Sequence, residues 1–160
     1  MADPRSVIPI EEWLSTLHAA SNELAKHSLR FDDQAGAAAA DGPGEPGAYI
    51  AVHSAHNAVH LGLSASPARC RALARALLHL HHTQPVSESD VVDGLSEVMN
   101  ILAGKVKASM AGRDGQLYLG LPMFVANPIR SSGDSESASL PVRLGPVECT
   151  LRVYRRQRAA

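Results

Sequence analysis

Between Ser87 and Gly112 lies a segment whose residue types, set on a helical wheel, separate into two faces. Taking about 100° per residue and Leu95 as zero, Val91, Val92, Val98, Met99, Leu102 and Val106 fall within roughly 60°, which makes that side core-facing. Asp93, Glu97, Asn100 and Gly104 fall at roughly 140–200°, on the solvent side. Any surface helix has a polar face. This one carries Asn and Gly, each costing several tenths to about 1 kcal/mol relative to Ala, where an idle exposed position would hold Glu, Lys or Ala. Two unfavourable choices on one face mark a candidate site. Its chemistry is that of contact: an amide donates and accepts at once, and the two carboxylates can pair with cations. The bare Gly104, one turn beyond the amide, would let another protein's backbone approach it.

Other chemical groups are less organised. Of the eight histidines, His53, His56 and His60 straddle an expected turn. His79, His81 and His82 gather at an expected helix C-terminus, where the dipole stabilises imidazolium without a metal, so no metal site is expected. Cys70 and Cys149 have no CxxC spacing and read as core thiols. Gly42-Pro43-Gly44 lacks the Lys-Ser/Thr of a phosphate loop, and no Ser/His/Asp set is evident. Arg152, Arg155, Arg156 and Arg158 read as a solvated basic run, with 155–160 as a tail, and Trp13 as a core anchor.

The elements that must position the stripe follow from periodicity and breakers. An amphipathic helix is expected from about Ile8 to Ser28, then a flexible Ala/Gly/Pro-rich loop over 33–47. Tyr49–His53 and Ala58–Leu63 form a hairpin turning at Ser54-Ala55-His56-Asn57. Ser66-Pro67 opens a second helix ending near His79–His82. Ser87 with Asp90 resembles a capping box for the third helix, which runs to about Met110. Strand-like segments follow at Gln116–Ala126, Leu140–Leu144 and Val147–Tyr154, parted by polar Ser131–Ser139 and by Gly145-Pro146. This order predicts an α+β fold, a mostly antiparallel sheet with helices packed on one face, as a single domain over 1–160. A net charge of -1 argues against nucleic acid, and the lack of a long apolar run or leader argues against a membrane and for the cytoplasm.

Asp93-x-x-x-Glu97-x-x-Asn100-x-x-x-Gly104, with Pro122 following Asn100 after 21 residues, resembles the signature helix of the CheX/CheC/FliY phosphatases of bacterial chemotaxis. The likeness extends from about Tyr49 to Tyr154. CheC-type members carry two copies of the motif; the single copy here is similar to the CheX type. The resemblance implies a phosphatase that hydrolyses the phospho-aspartate of a CheY-like response regulator, and a homodimer. Asn100 would position the attacking water and Glu97 would dock the receiver by an ion pair, with Asp93 and Gly104 shaping the contact. No cofactor of its own is implied, since Mg²⁺ belongs to the receiver. The residue types suit this chemistry: an acyl phosphate needs chiefly a water held in line, which a neutral amide can do and a carboxylate would oppose by repelling phosphoryl oxygens. The alternative is an adaptor that binds a receiver or a flagellar-switch partner without hydrolysis. A weaker one is a scaffold dimerising through a sheet edge, with which the amphipathic last strand is compatible.

Overall fold

Alternating small apolar and polar residues give the longer strands one greasy face, and that face gathers the helices. The computed structural model describes residues 6–31, 44–127 and 133–156. Among these lie helices α1 (Ile10–His27), α2 (Pro67–Leu77) and α3 (Glu88–Ser109). The strands are β1 (Gly47–His53), β2 (Ala58–Ser64), β3 (Tyr118–Leu119), β4 (Met123–Val125), β5 (Ser135–Leu144) and β6 (Val147–Arg156). They pair antiparallel in the order β3-β1-β2-β6-β5, with β4 also on β1. Ala48, Ile50 and Val52 oppose Leu63, Leu61 and Val59, while Leu63 and Leu61 oppose Leu151 and Val153 of β6. These residues share one core with Trp13, Leu17 and Leu24 of α1, Cys70 and Leu73 of α2, and the apolar side of α3. α1 lies over β5 and β6, α3 over β1 and β2 with a flank reaching β4, and α2 packs on α3 and β6. The α+β architecture is as expected.

Several boundaries differ. α2 stops at Leu77, and His79 takes φ +54°, a left-handed conformation that ends the helix before the other histidines. Ser66 does occupy the N-cap, yet its hydroxyl makes no capping bond. The expected loop contributes strand: β5 begins at Ser135, with Ser137 and Ser139 outward and Ala138 packed against the core. An edge strand with one wet face needs apolar residues only at every second position, so a Ser-rich run suffices. The last strand is also longer and lies between β2 and β5, not at an edge. Arg155 and Arg156 therefore belong to β6, not to a tail; Arg158 lies outside the described residues. Arg152 bonds Ser64 Oγ at 2.7 Å and Glu45 at 3.1 Å, and Arg155 reaches Glu136 at 3.5 Å and the Ile8 carbonyl. Of the loop expected over 33–47, residues 33–43 lie outside the described residues; Glu45 holds Arg152, Pro46 is buried and Gly47 opens β1. Both thiols are buried, which pushes Cys70 up to about 11 and Cys149 up to about 12.

One polar cluster, unseen in the sequence, ties the far end of α3 to the sheet. Asp114 follows α3 and is nearly buried, accepting from Ser54 Oγ, from Asn57 Nδ2 at 3.0 Å and from Gln116 N at 3.2 Å. Asn57 Oδ1 in turn accepts from Ile8 N at 2.9 Å, and Ser54 Oγ accepts from the amides of His56 and Asn57. The β1–β2 turn, the α3–β3 connection and the chain before α1 are thus joined at one carboxylate.

Candidate functional site on α3

The helix that carries the stripe is set at its start by reciprocal capping: Ser87 Oγ accepts from Asp90 N at 3.0 Å, and Asp90 Oδ2 accepts from Ser87 N at 2.9 Å. Those bonds hold the Asp90 carboxyl below its ordinary value. Its rotation is set by packing. Leu95, Val98, Met99, Leu102 and Val106 have no exposed surface. On one flank Gly94 lies against α2, and further along Lys105 bonds Glu23 of α1 at 3.1 Å. Val92, expected in the core, is 38% exposed, because the buried stripe is narrower at the first turns of α3.

With that rotation Asp93, Glu97, Asn100 and Gly104 all face outward. Asn100 Nδ2 donates to Glu97 Oε2 at 3.5 Å, a long bond that tethers the amide loosely to the carboxylate one turn before it. This contact uses the NH₂ group and leaves the carbonyl oxygen out of it. Asp93 lies one turn beyond Glu97. A Cβ added at Gly104 would meet nothing within 4 Å, so the fold does not require glycine there.

The two glycines of α3 make opposite predictions. A Cβ at Gly94 would stand 2.8 Å from Ala74 Cβ and 2.9 Å from its Cα. Gly94→Ala is therefore expected to lower stability, overpacking costing about 1–3 kcal/mol against about 1 kcal/mol of regained helix propensity. Gly104→Ala should raise it by up to about 1 kcal/mol, since only propensity changes. Thermal or urea unfolding of the two variants reads the sign directly.

Pro122 stands between β3 and β4, which the sequence suggested as one strand. The register explains the break: Leu119 pairs with Val52 and Met123 with Tyr49, leaving one residue more on this strand than on β1. Proline, lacking an N–H, suits such a bulge.

The remaining candidates do not converge. His53 stacks on Tyr118 at 5.9 Å and His81 lies against His82 at 4.1 Å, and among the described residues no group of His, Cys, Asp and Glu is placed to hold a metal. A groove of about 660 Å³ opens between the start of α2 and the β5–β6 hairpin, but it contains no residue of the α3 stripe. Two of its charged groups, Arg69 and Arg143, pair with a third, Glu148. No described helix is long and apolar enough to cross a membrane.

The stripe thus sets an amide and two carboxylates on an exposed helix face of a two-layer α+β protein, apart from the groove beside α2. The family model described as chemotaxis phosphatase CheX matches residues 47–143, from β1 into β5, and the chain belongs to the CheX family. Among solved structures, it is similar to chemotaxis protein CheX from Vibrio vulnificus, with a TM-score of 0.68 and 13% identity over 96% of this chain and 100% of that one. A chemotaxis protein CheX from Desulfovibrio desulfuricans aligns with a TM-score of 0.66 and 15% identity, over 89% and 97%. So does CheX in the CheX-CheY-BeF3-Mg+2 complex from Borrelia burgdorferi, at 0.66 and 15%, over 91% and 98%. At these identities the likeness is one of fold. No curated protein matches the chain significantly.

Proposed function

We propose that this protein hydrolyses the phospho-aspartate of a CheY-like receiver domain, with Asn100 positioning the attacking water and Glu97 docking the receiver. The observation that carries this reading is the exposed Asn100, tethered to Glu97 beside an open Gly104, in a chain of the CheX family. In the reaction the water oxygen forms a bond to phosphorus as the P–O bond to the aspartyl carboxylate breaks, yielding phosphate and free Asp. The receiver's own Mg²⁺ and Lys would neutralise the charge that develops. Asn100 supplies geometry: its carbonyl accepts a hydrogen bond from the water and aims the water's oxygen lone pair along the line of attack, both water protons leaving with the phosphate. Glu97 is acidic, exposed and one turn away, suited to a lysine of the partner. Asp93 extends that acidic surface, and Gly104 admits the partner's backbone.

The homodimer implied by the resemblance belongs to the same proposal. With β6 inside the sheet, a sheet-edge contact would use β5 or the β3/β4 edge. That the relative from Borrelia burgdorferi was captured with CheY supports a receiver as the partner.

The test is phosphate release from a phosphorylated CheY-type receiver with and without this protein. Acceleration is expected; binding without acceleration would establish the adaptor. Glu97→Ala should shift stability by about 0.5 kcal/mol or less, since it opens no cavity. It should raise the Kd for a beryllofluoride-loaded receiver, and an unchanged Kd would remove Glu97 from docking.

A further inference from the structure

Leu121 is 90% exposed, more than any other large apolar residue described. A lone surface leucine needs no explanation. This one stands in an edge free of charge, since 115–127 contains no charged residue, while the exposed Tyr118 and Met123, paired with His53 and Tyr49, project from the face of the sheet away from α3. The backbone also presents it. Gly120 N still bonds Ala51 O at 2.8 Å and Met123 pairs with Tyr49, so Leu121 and Pro122 together oppose Ile50. This bulge interrupts the edge ladder and turns side chains outward. An edge built of two- and three-residue strands broken by proline is a poor template for adding another strand, so it suits a side-chain contact better than a sheet shared with a second copy.

The position of the edge relative to α3 names the occupant. Gly94 and Lys105, which touch α2 and α1, lie at roughly −100° and −80° on the wheel used above, whereas Asn100 lies at about +140°. The Asn100 flank thus faces away from α1 and α2. Because α1 covers β5 and β6 while α3 covers β1 and touches β4, that flank looks over the β3/β4 edge. A globular partner seated on the Asn100 stripe would overhang the bulge. We propose that Leu121, opposite core-facing Ile50 on the α3 side of the sheet and set in an uncharged edge, is an apolar ledge that docks the receiver domain held at α3, so that the receiver meets an acidic strip and an uncharged hydrophobic one side by side. This inference rests on the function proposed above. It assigns recognition to residues that do no chemistry, as in interfaces where a few apolar anchors set affinity inside a polar rim.

The experiment compares wild type, Leu121→Ser and Leu121→Met by titration against a beryllofluoride-loaded CheY-type receiver and by phosphate release. Leu121→Ser should raise Kd and KM by about tenfold to a hundredfold, the worth of burying one leucine side chain, with turnover at saturation retained and Leu121→Met restoring affinity. Its exposure predicts unchanged unfolding. If Leu121→Ser binds as wild type while Glu97→Ala does not, the ledge is overturned and the function stands. If wild type neither binds nor dephosphorylates the receiver, both fall. If Leu121→Ser alters only self-association in sedimentation, the ledge belongs to a second copy of this chain, which also overturns the proposal.

Discussion

Asn100→Ala is expected to leave a receiver bound and to abolish most of the acceleration of phosphate loss. The amide is exposed, it bonds Glu97 at 3.5 Å, and its removal creates no cavity. Stability should therefore hardly change. The rate should fall by about 10²–10³-fold, the loss seen when one preorganised hydrogen-bonding group of a transition state is deleted. Because the water is held in line chiefly as the transition state forms, the loss should sit in kcat, with Kd for the receiver little altered. Single-turnover dephosphorylation at saturating protein separates the two. Asn100→Asp should be no better than Ala, since it restores an acceptor but adds a negative charge facing the phosphoryl oxygens. A variant as fast as wild type would show that another residue positions the water.

The second large effect is one of stability. Asp114→Ala removes the acceptor for Ser54 Oγ, Asn57 Nδ2 and Gln116 N, and Asn57 is almost wholly buried. A buried donor left without its acceptor costs about 1–3 kcal/mol, and with a turn, a helix exit and the Ile8 segment converging there, a loss of about 2–3 kcal/mol is expected. The same carboxylate carries a pH signature. Burial pushes its pKa up, but the bonds from Ser54, Asn57 and Gln116, with the nearby His56, outweigh burial and hold it below the ordinary value. A pKa lowered on folding contributes stability that is fully present above the unfolded-state value of about 3.9 and is lost as pH falls through the folded-state value. Wild type should thus weaken in acid more steeply than Asp114→Ala below about pH 4. Urea unfolding from pH 3 to 7 gives both numbers; a neutral-pH loss within about 0.5 kcal/mol would show that water replaces the carboxylate.

The rotation of α3 was legible because local chemistry and burial agree along it. The 3.6-residue period placed Leu95 inside and Asn100 outside, and the Ser87–Asp90 box marked its start within the same few residues. The β1–β2 hairpin, the sheet class and the family resemblance were legible for the same reason: each is written in neighbours along the chain. What sequence could not decide depends on partners distant in it. Ser135–Ser139 is strand only because β6 lies alongside, supplying the ladder that a Ser-rich segment cannot demand by itself. Arg152 and Arg155 read as members of a solvated basic run because nothing local reveals Glu45, 107 positions away, or Ile8, 147 away. Nothing local singles out Asp114, whose role depends on Ser54 and Asn57, about 60 positions away. Leu121 looked like part of a strand until the register showed one residue too many opposite Ile50. Periodicity is a property of a segment and survives any fold that buries its apolar side. Ion pairs, bulges and buried hubs arise from closing the chain on itself, so the sequence held the chemistry of the α3 stripe, and only the tertiary structure decided what stands beside it.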